Sequence, residues 1–278
     1  MFDLDKYKDN TAVITDRDEV LTYGQVAEEV ENFAVHYKGG FVFTLCENLL
    51  GAFIGYVACM NRHIPQVLLD GSKDLELVQR LIGIYQPEYI WMPSVRANEI
   101  GGKSIYTYQE YSLQLMAYDE PLTDKAINPD LLLCLTTSGS TGSPKLVRLS
   151  EQNLKSNAES IADYLKITSD ERPVTSLPMY YSYGMSVINS HLIKGATILL
   201  TDKAVMQREF WTFIKEQKAT SIAGVPYTYE MLKRLRFFRM ELPELKTMIQ
   251  AGGKLNVTYV KEYVDFAKQN NKEFIVMY

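Results

Sequence analysis

Residues 131–149, LLLCLTTSGSTGSPKLVRL, are the stretch that sets the organisation of the chain. The apolar run at 131–135 has the length of a buried strand. It leads into serines and threonines interleaved with Gly139 and Gly142, and glycine lets the backbone come close to a ligand. Lys145 adds a positive charge suited to phosphate. The stretch therefore predicts a buried strand followed by a loop that holds phosphate groups.

The loop differs from a P-loop of the Walker type, which requires Gly-Lys-Ser/Thr at the start of a helix. Here Lys145 follows Pro144, and residues 146–149 have the pattern of a second short strand. A polar β-turn between two strands stays open, because Ser, Thr, Gly and Pro are common in turns. The residues alone thus indicate a strand–loop–strand unit that either binds phosphate or simply turns the chain.

The order of residues 137–145, TSGSTGSPK, resembles the signature loop of the adenylate-forming superfamily, which includes acyl-CoA synthetases, aryl-CoA ligases, luciferase-like enzymes and peptide-synthetase adenylation domains. The family pattern, T-S-G-[ST]-T-G-x-P-K-G, is matched except at the last position, where Leu146 replaces glycine. The resemblance implies that the ATP phosphates are bound by Thr137, Ser138, Gly139, Ser140, Thr141, Gly142 and Lys145. Thr141 and Lys145 would be catalytic, because attack on the α-phosphorus needs charge neutralisation and in-line positioning.

Two later segments resemble the family's acyl-binding elements. Residues 177–184, LPMYYSYG, are similar to L-P-[LM]-[FY]-H-x-Y-G, with Tyr181 in place of histidine. A tyrosine can donate a hydrogen bond but does not titrate near neutral pH. Residues 224–226 are similar to the G-V-P-[TS] segment. The resemblance implies an acyl pocket formed by Tyr180, Tyr181, Tyr183, Gly184, Gly224, Val225 and Pro226. From these residues alone, without the neighbouring loop, core aromatics packed under a helix are the favoured explanation of Tyr180, Tyr181 and Tyr183.

The last part of the chain resembles the family's adenine site. Residues 251–254, AGGK, are similar to the [ST]-G-G-[AE] element, in which glycine backbone lies against the base. Tyr278 matches the tyrosine of [NM]-x-Y-G-x-T-E that stacks on adenine. The resemblance therefore implies adenine binding by Gly252, Gly253, Lys254 and Tyr278. A strand-to-helix turn explains the two glycines equally well in isolation.

The alternation of short apolar runs with helical patterns of about ten to fifteen residues predicts an α/β fold with layered, mostly parallel sheets flanked by helices. We expect an N-terminal α/β subdomain at 1–129 and a second α/β subdomain at 130–278 that carries the phosphate loop. The polar, proline-flanked segment 118–129 is the expected connection. By resemblance, the chain is the large N-terminal region of an adenylate-forming enzyme, truncated at its C-terminal end, with the family's C-terminal domain absent.

Composition restricts the function and the compartment. The 278 residues are 46% hydrophobic and carry a net charge of −5, which favours a large core and argues against nucleic acid or a membrane surface as partner. The apolar stretch at 49–60 is too short to span a bilayer, and no secretory signal is evident. Cys46, Cys59 and Cys134 are dispersed in apolar contexts, so we expect reduced core thiols. These observations predict a cytoplasmic protein.

The resemblance implies a ligase that activates an acyl or aryl carboxylic acid with ATP to acyl-AMP and pyrophosphate. The acyl group then passes to a thiol of CoA or of a phosphopantetheine carrier protein, which would place a fatty-acid substrate in fatty acid metabolism. ATP/AMP and Mg²⁺ are the implied cofactors. The family's magnesium-binding glutamate follows the position of Tyr278, so we expect no metal ligand in this chain and an inactive fragment.

Two alternatives accompany this expectation. One is a non-catalytic nucleotide- or acyl-binding domain. The other, within the class, is a carrier-protein-loading adenylation domain, and the oligomeric state is left open by the sequence. Ser182 falls where peptide-synthetase domains place an aspartate that pairs with the substrate's ammonium group. Because a buried ammonium without a carboxylate partner is unfavourable, an α-amino acid substrate is disfavoured.

Overall fold

The computed structural model describes residues 1–122, 126–136 and 145–277. Within these residues the strands form two seven-stranded sheets, and the chain divides into two compact units. The first unit comprises Met1–Asp9 and Tyr23–Asn157, and the second comprises Asn10–Thr22 and Ala158–Tyr278. Each unit contains one of the two sheets.

The regular elements have the following bounds. The strands are β1 (Thr11–Thr15), β2 (Val20–Thr22), β3 (Val42–Cys46), β4 (Gln66–Asp70), β5 (Tyr89–Pro93), β6 (Lys103–Tyr108), β7 (Tyr111–Leu115), β8 (Leu133–Thr136), β9 (Leu146–Leu149), β10 (Pro173–Val174), β11 (Ile198–Leu200), β12 (Ser221–Gly224), β13 (Thr247–Gln250) and β14 (Glu273–Val276). The α-helices are α1 (Tyr23–Ala34), α2 (Leu50–Asn61), α3 (Leu75–Tyr85), α4 (Ala97–Ile100), α5 (Glu151–Tyr164), α6 (Ser182–Leu192), α7 (Arg208–Glu216), α8 (Pro226–Arg234) and α9 (Val257–Gln269). Short 3₁₀ turns occupy Ser94–Arg96 and Phe237–Arg239.

The sheet of the first unit has a parallel centre and antiparallel edges, in the spatial order β6-β7-β5-β3-β4-β8-β9. Strands β5, β3, β4 and β8 are parallel. Strand β7 is antiparallel to β5, β6 to β7, and β9 to β8. Because β8 pairs with β4, the β8–β9 hairpin lies in the first unit. The observed division therefore differs from the expected boundary between residues 129 and 130.

Helix α2 is apolar on all sides, which is typical of a helix enclosed in a core. Residues Leu50 to Met60 of this helix are all buried. Two of its glycines allow aromatic rings to reach the helix backbone. A Cβ at Gly55 would lie 2.2 Å from Nε1 of Trp91, and a Cβ at Gly51 would lie 2.6 Å from the ring of Tyr111. The Trp91 indole N–H donates to the Gly51 carbonyl at 2.8 Å, which satisfies its polar atom within the core.

The sheet of the second unit is parallel except at one edge, in the order β14-β13-β12-β10-β11-β1-β2. Only β2 is antiparallel to its neighbour among the described strands of this sheet. An aromatic cluster that includes Phe210, Tyr229, Phe237 and Tyr263 packs with the buried faces of α7, α8 and α9. Because β10, β12, β13 and β14 run parallel, their carboxyl ends lie along one edge of the sheet.

Helix α5 carries a reciprocal cap, and the prediction of core cysteine thiols is confirmed. The Ser150 hydroxyl accepts from the Asn153 N–H at 3.2 Å, and the Asn153 side chain accepts from the Ser150 N–H at 3.1 Å, which is a reciprocal cap for α5. The cysteines Cys46, Cys59 and Cys134 are free and buried, as expected for core thiols. Across the described residues, none of the helices is both long enough and apolar enough to cross a membrane.

Candidate functional site

The candidate site of the second unit lies at the carboxyl ends of its parallel strands, which is where open α/β sheets bind ligands. Three segments meet there: the turn after β10 that leads to α6, the turn between β12 and α8, and the Gly252–Gly253 turn after β13. Backbone hydrogen bonds also link the ends of β12, β13 and β14, since the Ala251 N–H donates to the Gly224 carbonyl at 3.2 Å and the Met277 N–H donates to the Gln250 carbonyl at 2.8 Å. These turns, together with the end of β12 and the first turns of α6 and α8, carry the described residues that the sequence assigned to the acyl pocket and the adenine site.

The side chain of Tyr181 lies against the backbone of Gly252. Gly252 has a φ of +74°, and a Cβ there would lie 2.9 Å from the Tyr181 hydroxyl oxygen and 3.1 Å from Cγ1 of Val225. Tyr181 is 37% exposed, so its ring reaches solvent. Within the described part of the chain, its hydroxyl forms no hydrogen bond. A phenol with spare hydrogen-bonding capacity thus stands beside a bare stretch of glycine backbone.

Gln250 holds the glycine turn in place and was not identified from the sequence. It is 1% exposed, and its side-chain amide donates to the Ala251 carbonyl at 3.1 Å and to the Gly253 carbonyl at 2.9 Å. A Cβ at Gly253 would lie 3.3 Å from Cγ of Pro226, so the turn also rests on the start of α8. Lys254 follows the turn and is exposed. The signal that could have identified Gln250 is an amide side chain at the end of a short apolar strand, one residue before two glycines.

Tyr183, Gly184 and Gly224 lie beneath this surface. Tyr183 is buried, its hydroxyl donates to the Ile249 carbonyl at 2.9 Å, and burial raises its pKa well above the ordinary value. A Cβ at Gly184 would lie 2.2 Å from the Pro178 carbonyl oxygen, and a Cβ at Gly224 would lie 2.8 Å from Cβ of Thr228. These residues therefore support the turns from within the protein. Tyr180 is half-buried, while Tyr181, Val225 and Pro226 are at least partly open to solvent.

The two strands that flank the predicted loop are present in the first unit. Strands β8 and β9 pair in antiparallel register, with Thr136 opposite Leu146. Lys145 is exposed and directly precedes β9. The predicted phosphate-binding residues Thr137, Ser138, Gly139, Ser140, Thr141 and Gly142, and the predicted adenine-stacking Tyr278, lie outside the described residues. Their roles stay predictions.

Among the histidines, His191 is closed to ligands. It is 2% exposed in α6, its Nδ1 lies 2.7 Å from the Val187 carbonyl, and burial lowers its pKa to about 4. The residues at the strand ends supply a phenol, backbone carbonyls, an amide and one lysine. None of the described candidate residues at this edge carries a carboxylate.

The two sheets, with glycine turns at the strand ends of one and a Ser/Thr/Gly/Lys segment between paired strands of the other, define the N-terminal region of an adenylate-forming α/β protein. A family model described as "AMP-binding enzyme" matches residues 3–278, and the chain belongs to this family. The resemblance stated from the signature loop, and the α/β fold expected from it, are thereby confirmed.

Individual relatives agree with this family. The chain is 27% identical to feruloyl-CoA synthase of an Amycolatopsis species over 151 residues, which is 54% of this chain and 30% of that protein. It is similar in fold to the Vibrio cholerae adenylation domain AlmE in complex with glycyl-adenosine-5'-phosphate, with a TM-score of 0.79 at 15% identity over 99% of this chain and 57% of that one. It is also similar in fold to o-succinylbenzoate CoA synthetase of Bacillus subtilis in complex with its acyl-adenylate, with a TM-score of 0.73 at 19% identity over 95% of this chain and 55% of that one. The chain thus spans less than a third of the length of the feruloyl-CoA synthase that it matches.

Proposed function

We propose that this chain is the nucleotide- and acid-binding region of an AMP-forming acid–thiol ligase. The observation that carries the proposal is the meeting of Tyr181, Val225 and Gly252 at the carboxyl ends of the parallel strands. Such an edge can hold an acyl chain on one side and a nucleoside on the other, which an acyl-adenylate requires. Family membership and the CoA-ligase relative point in the same direction.

In the proposed reaction, a carboxylate oxygen attacks the α-phosphorus of ATP. A new bond forms between that oxygen and phosphorus, the bond to the β-phosphate oxygen breaks, and pyrophosphate leaves with its electron pair. A thiol sulfur then attacks the acyl carbon, AMP leaves, and the thiol proton passes to solvent. The first step depends on in-line positioning and charge neutralisation more than on a base. A tyrosine at position 181 suits this step, because its hydroxyl can donate a hydrogen bond to the reacting groups.

Each group of residues has a proposed role. Residues 137–142 and Lys145 bind the ATP phosphates, with Thr141 and Lys145 stabilising the transferring charge. Gly252, Gly253, Lys254 and Tyr278 frame the adenine, and Tyr180, Tyr181, Val225 and Pro226 wall the acid. Tyr183, Gly184 and Gly224 support that wall from beneath. Mg²⁺ and CoA or a phosphopantetheine carrier complete the proposal.

The proposed substrate is an acyl or aryl acid without an α-ammonium group. Ser182 begins α6 beside Tyr181 and supplies a hydroxyl where a cationic substrate would need a carboxylate. A carrier-protein-loading adenylation domain is the second candidate. The similarity in fold to the AlmE adenylation domain is compatible with this candidate. In that case the thiol belongs to a carrier protein, and the first step is unchanged.

Carboxylate-dependent exchange of pyrophosphate into ATP tests the proposal. The full reading frame and the 278-residue chain are assayed in parallel with fatty, aryl and α-amino acids. We expect exchange by the full reading frame with a fatty or aryl acid, and nucleotide binding without exchange by the 278 residues. Folded protein from both sources that binds no nucleotide would overturn the proposal. Exchange only with α-amino acids would refute the substrate class.

A further inference from the structure

A cavity of about 690 Å³ opens on one face of the first unit's sheet, and none of the described candidate residues for phosphate, acid or adenine lines it. Its described lining consists of Phe41, Pro65, Gln66, Val67, Ile84, Tyr85, Leu122, Ala126, Ile127, Asn128, Leu131, Cys134, Leu146 and Arg148. The volume falls within the range of small-molecule sites, about 300–1,000 Å³. All of these residues belong to the first unit, whereas the candidate acyl and adenine residues belong to the second.

The sheet register explains why the cavity exists. Arg148 pairs with Cys134, Cys134 with Val67, and Val67 with Phe43, so these four side chains share one face of the sheet. Helix α3 covers the Phe43 and Val67 part of that face with Val78, Leu81 and Ile82. The helix ends at Tyr85, and the face of β8 and β9 beyond it is left open as the cavity.

Hydrogen bonds hold two parts of the lining, at Leu122 and at Asn128–Leu131. Gln86, at the end of α3, donates from its side-chain amide to the Glu120 carbonyl at 3.0 Å and accepts from the Leu122 N–H at 2.9 Å. Further along, the Leu131 N–H donates to the Asn128 carbonyl at 3.0 Å. These bonds hold Leu122 and the turn at Asn128–Leu131, and ordering such groups before a ligand binds lowers the entropic cost of binding.

Arg148 gives the cavity its chemical character. It is the only charged residue in the described lining, and no ion pair between described residues involves it. Its charge acts on the cavity floor, since it opposes the burial that raises the pKa of Cys134 to about 11. A guanidinium presents paired donors that match a carboxylate, and the rest of the lining is mainly aliphatic and aromatic.

We propose that this cavity is a binding site for an apolar monocarboxylic acid, with its carboxylate on Arg148 and its chain between Val67, Tyr85 and Leu131. The described lining shares no residue with the proposed ligase centre, and the proposal does not depend on that centre. Arg148 is exposed at the cavity, so a bound carboxylate would replace water at its guanidinium with a charge-assisted pair, which a neutral apolar molecule cannot form. A small polar anion would pair with Arg148 but would make no apolar contact with the aliphatic and aromatic walls.

Calorimetric titration of the 278-residue chain with decanoate and with methyl decanoate tests the charge requirement. We expect decanoate to bind and the ester to bind at least about tenfold more weakly. Arg148→Met should weaken decanoate binding about tenfold, while Lys155→Met, which removes a positive charge from an exposed position of α5, should leave it unchanged. Equal decanoate affinity in Arg148→Met and the unmodified chain would overturn the proposal.

The location is tested by filling the rim and by crosslinking. Ile84 is 46% exposed on α3, so Ile84→Trp should narrow the cavity with little risk to folding and reduce decanoate binding at least about tenfold. Val95→Trp, at an 85% exposed position outside the cavity, is the matched control. A decanoate bearing a terminal diazirine should label peptides from residues 65–85 or 126–148. Labelling confined to residues 177–184 and 224–254 would show binding at the ligase centre alone and refute the cavity site.

Discussion

The hydroxyl oxygen of Tyr181 stands 2.9 Å from the position that a Cβ would occupy on Gly252. The two residues come from different strand ends, β10 and β13, and Val225 of a third strand end completes the contact. Any side chain at position 252 would push against the phenol or the valine. The absence of a side chain at Gly252 is therefore a spatial requirement of the candidate site as well as a conformational one.

Gly252→Ala should impair nucleotide binding. The φ of +74° costs an alanine roughly 1–2 kcal/mol, and its Cβ would also displace the Tyr181 hydroxyl. We expect AMP affinity, measured by calorimetry, to fall at least about tenfold. Gly101→Ala is the control, because Gly101 has a φ of +89° but no atom within 4 Å of the position that a Cβ would occupy. That control should lose stability and keep AMP affinity; equal AMP affinity in both variants would contradict the assignment.

Tyr181→Phe should lower the exchange rate while leaving the fold intact. The variant removes one hydroxyl from a side chain that is 37% exposed, so unfolding free energy should change by less than about 0.5 kcal/mol. Loss of one neutral hydrogen bond predicts a roughly three- to tenfold lower kcat/KM for pyrophosphate exchange by the full reading frame. Tyr164→Phe alters a tyrosine of the same unit that is 66% exposed, and it should leave kcat/KM for pyrophosphate exchange unchanged.

Tyr181→His tests the same position from the other direction. Histidine titrates near pH 6.5, so the variant should acquire a pH dependence of exchange between about pH 5.5 and 7.5 that the tyrosine form lacks. The measurement is the exchange rate of both forms across that range. Parallel pH profiles would show that the side chain at 181 does not face the reacting groups.

Much of the fold was predictable because the decisive signals are local. The apolar run at 131–135 overlaps β8, and the strand pattern at 146–149 coincides with β9. The β6–β7 hairpin was not predicted, because β6 is largely exposed and has no apolar run. Its pairing with β5 through β7 is a tertiary interaction that sequence periodicity does not record.

The candidate site was predictable to a lesser extent. The motifs selected Tyr181, Val225 and Gly252 from three distant segments, and the fold brings these residues together. The motifs could not separate Tyr181, which reaches solvent, from Tyr183, which is buried and bonded to the Ile249 carbonyl. That distinction depends on where α6 begins, and Tyr181 is the residue that precedes it.

Gly55→Ala and Gly83→Ala should shift stability in opposite directions. A methyl group at Gly55 would lie 2.2 Å from Trp91 Nε1 in a closed core. The free energy of unfolding should therefore fall by about 1–3 kcal/mol. Gly83 lies in α3 with nothing within 4 Å of a Cβ, so alanine there should add about 0.5–1 kcal/mol by reducing the entropy of the unfolded chain. Urea unfolding of both variants measures the difference, and a stabilised Gly55→Ala would contradict the packing around α2.

His191 should make the protein less stable in mild acid. Burial lowers its folded-state pKa to about 4, so between the unfolded value near 6.5 and about 4 the unfolded chain binds a proton that the folded protein excludes. Unfolding free energy should therefore decrease as the pH falls through this window, by on the order of 3 kcal/mol from this residue. His191→Gln should lose that part of the pH dependence in urea titrations at pH 7 and pH 4.5. Ser190→Ala alters the adjacent buried polar residue and should retain it; an unchanged pH slope in His191→Gln would show that the imidazole can be protonated in place.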